Sequence, residues 1–223
     1  MRRFLVVPLL LGAALISSCA TVVRGPLVRS ASHSVHRTFD VAFVGDSNIV
    51  RGTTETITTL RGRSANANAS RDYVPAFFAR AGMRLNPSFF ARELVSPRFD
   101  PDAVVLNIGI NDTPRPELYA RYGKRIDKFM ALFPPGVPVL FPTYPVAIEP
   151  PLRRPGSAAV NRAWWAAARR WPNLQILRWG ALADGHPEWI DPTSPDPENH
   201  VHYTHDGYYE LARFELAALN RLR

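Results

Sequence analysis

Cysteine is almost missing from this chain: Cys19 is the only one in 223 residues. No intrachain disulfide is therefore available, and a domain exported to an oxidising compartment would carry no spare thiol beyond that one. Long basic runs are missing too, since Lys and Arg never occur in more than pairs. The formal charge of +8 is spread along the sequence, which argues against a dedicated nucleic-acid patch. No internal repeat occurs, and the apolar run Phe4–Ile16 is short of the roughly 20 residues of a comfortable membrane span and carries Pro8 and Gly12. Apolar residues are not scarce, however. At 46% hydrophobic, 11% aromatic and 21% charged, the composition excludes the disordered and collagen-like classes, and the length suits one domain with a single core.

Arg2 and Arg3, the apolar run and then Ser17, Ser18 and Cys19 follow the charged, apolar, small-residue order of a secretory signal, so residues 1–18 are expected to be removed. Ile16-Ser17-Ser18-Cys19 resembles the bacterial lipobox. That resemblance implies lipidation of Cys19 and attachment to the membrane by an N-terminal lipid anchor; a plain cleaved signal would instead give a secreted protein. Residues 19–38, mixed in Gly, Pro, Ser and Arg, read as a tether, and 39–223 as the folded domain. In that setting the basic surface suits an envelope environment better than nucleic acid.

Val41–Val44 and Ala103–Ile108 are short apolar runs of the kind that form strands buried on both faces, Val137–Phe141 and Leu174–Leu177 are similar with interruptions, and Met83–Leu85 is a weaker candidate. Helical patterns are expected at Tyr73–Arg80, Pro116–Phe133, Ala158–Trp171 and Tyr208–Leu222, and irregular excursions at Ser64–Ser70 and Pro145–Pro155. Strands alternating with helices predict an α/β three-layer sandwich around a central parallel sheet, in a single domain. Reactive groups in such sheets gather at the carboxyl ends of the strands.

Three polar blocks fall at such ends or before the last helix. Gly45-Asp46-Ser47 follows the first run and places a hydroxyl at a strand-to-helix turn, where backbone N–H groups favour developing negative charge. Gly109-Ile110-Asn111-Asp112 follows another strand and offers a side-chain amide. Asn199-His200-Val201-His202 precedes the final amphipathic segment and offers an imidazole. In this order the blocks resemble the SGNH, or GDSL-type, esterase and lipase superfamily, with Gly-Asp-Ser after strand one, Gly-x-Asn-Asp after strand three and Asp-x-x-His before the last helix. The resemblance spans about Phe39 to Leu222 and implies a flavodoxin-like sheet. It makes Ser47 the nucleophile, His202 the general base, and Ser47, Asn111 and Gly109 the oxyanion site, with Gly45, Asp46 and Asp112 supporting the loops.

Two departures stand out. Asn199 occupies the place of the superfamily aspartate that orients the histidine, so the ring must be held by Asn199 itself, by Glu198 or Asp196, or by a backbone carbonyl. The glycine that follows strand two in the superfamily is also unclear: Gly82 reads as a helix C-cap, which leaves Ser88 or a neighbour as the donor. His200, His202 and His205 have the spacing of a metal cluster, but a metal there would leave Ser47 and Asn111 idle, so neither metal nor cofactor is expected. Trp164, Trp165 and Trp171 read as core and rim rather than a sugar platform. The expected function is hydrolysis of acyl esters, acetyl foremost, on an envelope carbohydrate or lipid through an acyl-serine, with acyl transfer the nearest variant. The alternative is a noncatalytic envelope lipoprotein of the same fold that binds glycan or a partner.

Overall fold

A computed structural model of the protein describes residues 38–64, 73–94, 100–191 and 202–222. The expected signal, Cys19, the tether up to residue 37, and Asp196, Glu198, Asn199 and His200 lie outside the described residues.

Five parallel strands form one sheet in the order β2-β1-β3-β4-β5. They are β1 (Phe39–Gly45), β2 (Tyr73–Ala79), β3 (Ala103–Asn107), β4 (Val139–Pro142) and β5 (Leu174–Leu177). The helices are α1 (Ser47–Arg51), α2 (Thr53–Ser64), α3 (Pro87–Leu94), α4 (Tyr119–Met130), α5 (Arg154–Ala168), α6 (Trp179–Ala183) and α7 (His205–Leu219). The expected α/β sandwich with a central parallel sheet is what is found. Among the described residues, no helix is long and apolar enough to cross a membrane.

Alternate residues of a strand face opposite sides, and β1 uses both. Ala42 and Val44 join Val104, Leu106, Phe90, Ile126, Phe129, Val160 and Trp164 beneath α3, α4 and α5. Val41 and Phe43 join Val105, Leu140, Leu60, Leu216 and Leu219 beneath α2 and α7. Each such side chain contributes about 1.5–3 kcal/mol on burial, which explains why Val41–Val44 of β1 and Ala103–Leu106 of β3 read as unbroken apolar runs. Trp164 is fully buried and stacks on Phe141 at 4.3 Å, whereas Trp165 is 46% exposed and Trp171 donates its indole N–H to Asp127 at 2.9 Å. The tryptophans are core and rim, as expected.

Two expectations are corrected. Tyr73–Arg80 is not helical: Tyr73–Ala79 pairs in register with β1, Phe39 to Tyr73 through Gly45 to Ala79. Its Pro75 is accommodated because β2 is an edge strand, where a missing N–H need leave no ladder bond broken. Met83–Leu85 is accordingly not a strand but part of the loop that leaves β2.

Candidate active site

Strand order reverses between β1 and β3, and in open parallel sheets this switch point opens the crevice where ligands bind. β1 ends at Gly45, opposite Asn107 of β3. A Cβ on Gly45 would lie 2.2 Å from the Asn107 carbonyl oxygen, so only glycine lets the strands close here. That same carbonyl accepts the Asp46 N–H at 3.1 Å, and the chain turns at once into α1 with Ser47 as its first residue. Asp46 caps the helix by accepting the Asn48 N–H at 3.1 Å. Complete burial pushes the Asp46 carboxyl up to about 7, against the opposing pull of the Asn48, Gly109 and Ile110 backbone N–H groups.

The Gly109–Asp112 turn is held from several sides. Gly109 has φ +126°, and a Cβ there would meet the Tyr122 hydroxyl at 2.1 Å. Asp112 accepts the Leu85 N–H at 2.9 Å and pairs with Arg125 at 3.1 Å. Arg153 reaches the Thr113 hydroxyl at 3.2 Å. Asn111 donates one amide N–H to the Met83 carbonyl at 3.0 Å, and since a carboxamide has two donors the other is left for a different acceptor. This bond ties the loop after β3 to the loop after β2, which borders an open cleft of about 370 Å³ lined by residues including Gly82, Met83, Asn86 and Arg125.

With β2 recognised as a strand, Gly82 is not a helix cap. It stands three residues past the strand end with φ +72° and open space around it, while Ser88 lies in the first turn of α3. This puts Gly82 at the place in the chain where the superfamily has its glycine.

His202 arrives from the far end of the sequence. Its Nε2 lies 2.9 Å from the Ser47 hydroxyl oxygen, across 155 residues of chain. One cap and two cross-element contacts fix the start of α7, the latter against α1 and α2. Thr204 caps α7 by accepting the Gly207 N–H, the Tyr208 hydroxyl donates to Asn48 at 3.0 Å, and His205 Nδ1 meets Glu55 at 2.7 Å. His202 and His205 thus turn to different partners. Partial burial pushes the His202 imidazole down to about 4, Arg51 and Arg153 push the same way, and Asp191 opposes them. At neutral pH the ring is uncharged and able to accept a proton.

The GDSL-like lipase/acylhydrolase family model matches residues 43–209, most of the chain and every site residue just described. The chain belongs to this family. Membership places this GDSL-like protein among enzymes of acyl-ester hydrolysis. No curated protein sequence matches it. Among solved structures it is similar to a lipase/acylhydrolase from Enterococcus faecalis, at TM-score 0.66 and 15% identity over 82% of this chain and 95% of that one. It is also similar to Axe2, an acetylxylan esterase from Geobacillus stearothermophilus, at 0.62 and 17% over 83% and 95%. A third likeness is to the C-terminal catalytic domain of peptidoglycan O-acetyltransferase A from Streptococcus pneumoniae, at 0.59 and 18% over 83% and 94%. At these identities the likeness is one of fold, and the GDSL-like site must be argued from its own residues.

One charged neighbour of His202 was not visible as such in the sequence. Asp191 donates its backbone N–H to the His202 carbonyl at 2.9 Å, and its carboxylate pairs with Arg51 at 3.8 Å. It stands eleven positions before the histidine, so no local motif marks it.

Proposed function

We propose that the protein is a serine esterase that removes acyl groups, acetyl foremost, from an envelope carbohydrate or lipid. The observation that carries this reading is the 2.9 Å contact between the Ser47 hydroxyl and His202 Nε2. That distance is hydrogen-bond reach for proton transfer. His202 takes the Ser47 proton as Oγ bonds to the ester carbon, and gives it to the leaving alcohol as the carbon–oxygen bond breaks. Water, activated by the same ring, then releases the acid. The carbonyl oxygen gains negative charge in both steps, and the Ser47 and Gly82 backbone N–H groups with the Asn111 amide are the donors that meet it. Gly109 shapes the turn that carries Asn111. Each such donor is typically worth about 100- to 1000-fold in turnover.

The acyl class is supported by family membership and by the acetyl chemistry in the names of two structural neighbours, the acetylxylan esterase and the peptidoglycan O-acetyltransferase. A sugar hydroxyl in place of water would turn hydrolysis into acyl transfer with no change of residues. The lipobox-like Ile16–Cys19 supports a lipid-anchored setting facing envelope polymers. The test is direct: purified protein should hydrolyse p-nitrophenyl acetate and take a fluorophosphonate label, and Ser47→Ala should lose both. A wild-type protein that does neither overturns the reading.

A further inference from the structure

Beside His202 a single antiparallel bridge makes a short two-stranded ribbon of residues 189–191 and 202–204. Ile190 bridges Tyr203, the Asp191 N–H bonds the His202 carbonyl at 2.9 Å, and the Thr204 N–H bonds the Trp189 carbonyl at 2.8 Å. Residues directly opposite in such a ribbon project to the same face, with Cβ atoms about 4.5–5.5 Å apart, and the next pair projects to the other face. Tyr203 is buried in the cluster around Trp179, and Ile190 packs on that cluster. Asp191 and His202 therefore share the opposite face.

Helix α1 shows independently which way that face looks. Ser47 and Arg51 are four residues apart on α1, hence on one side of it. Ser47 meets His202 and Arg51 meets Asp191, so both side chains of the pair reach the same helix side. Asp191 is only 22% exposed, and a carboxylate in such a place acts on a neighbouring charge with little screening by water.

Resting on the esterase reading above, we propose that Asp191 is the positioning residue for His202, supplying from the neighbouring strand the carboxylate that position 199 lacks. As Ser47 gives its proton to Nε2 the ring becomes a cation, and the Asp191 carboxylate stabilises that cation until the proton passes to the leaving oxygen. Arg51 and Arg153 are the cations that act on the same ring and oppose its charging, so Asp191 is the counterweight to both.

The experiment measures kcat and KM for p-nitrophenyl acetate, and the pH profile of kcat/KM, in wild type, Asp191→Asn, Asp191→Glu and Arg51→Gln, with folding checked by circular dichroism. In a serine protease, replacing the acid by its amide lowers turnover about 10⁴-fold. Asp191→Asn should lower kcat about 100-fold or more, with KM little changed, and move the acid limb to lower pH. Asp191→Glu should restore most of kcat. Arg51→Gln removes the same ion pair but leaves the carboxylate, so it should lose less than about fivefold, the usual worth of an exposed pair, and move the limb to higher pH. Equal losses and equal limb shifts in Asp191→Asn and Arg51→Gln would show that Asp191 merely ties the ribbon to α1, and would overturn the proposal. So would wild-type kcat in Asp191→Asn. Either result leaves the esterase reading standing, because that reading fails only if the wild type is inert and Ser47 takes no label.

Discussion

Gly45→Ala tests whether the site depends on how closely β1 and β3 approach. The new methyl would lie 2.2 Å from the Asn107 carbonyl oxygen and 2.7 Å from Ile49 Cγ1. The isoleucine can change rotamer. The carbonyl cannot, because it is backbone of a fully buried strand and accepts the Asp46 N–H. Overpacking of this kind costs about 1–3 kcal/mol, and weakening that hydrogen bond adds about 1 kcal/mol. The expected loss of about 2–4 kcal/mol corresponds to a fall in Tm of roughly 5–15 °C for a domain of this size. Activity should fall further than stability implies. The strands must part where Ser47 and the Asn111 turn leave the sheet, and a displacement of about 1 Å between reacting groups costs on the order of 100-fold in rate. Differential scanning fluorimetry gives the first quantity and p-nitrophenyl acetate hydrolysis well below the variant's Tm gives the second. Gly136→Ala is the control, since a Cβ there meets nothing within 4 Å and should shift stability by no more than about 0.5 kcal/mol. A Gly45→Ala protein with wild-type Tm and wild-type kcat/KM would refute the argument.

Two further predictions concern protons. His202 has its imidazole pushed down to about 4, so the basic form is present above that pH; kcat/KM should fall about tenfold per pH unit only below it, and a limb at 6.5 or higher would show a ring less desolvated than the structure implies. Burial pushes the Glu215 carboxyl on α7 up from 4.5 to about 8, so the fold favours its neutral form. The stability this gives is complete below about 4.5 and lost as pH rises through about 8, on the order of 4 kcal/mol in all. Glu215→Gln should lose less Tm than wild type between pH 6 and 9, and parallel Tm curves would exclude the assignment.

The sequence showed the sheet wherever burial on both faces left an apolar run, as in Val41–Val44 and Ala103–Leu106, and also at the interrupted run Leu174–Leu177, where Gln175 is exposed. It misled at Tyr73–Ala79, where Pro75 and two adjacent phenylalanines mask an edge strand, and that error also hid the standing of Gly82. Helix α2 went unread because five threonines among its twelve residues lower its intrinsic preference; packing against α7 holds it. Ser47 and His202 were legible because each sits in a short polar block of recognisable type. Asp191 was not, since its relation to His202 exists only through a cross-strand pairing that no linear spacing encodes.

Every strand of the sheet is complete by Leu177, yet the imidazole and α7 come later in the chain. During synthesis the Ser47 hydroxyl is therefore made long before the imidazole that meets it. A polypeptide cut short after Leu177 can contain these five strands, but on the esterase reading it lacks the base that activates Ser47, and α2 is left without α7 on the sheet face that Leu216 and Leu219 also cover. On that reading the base and the full cover of this face arrive together, with His202 and the helix that follows it, so an unfinished chain is expected to be inert.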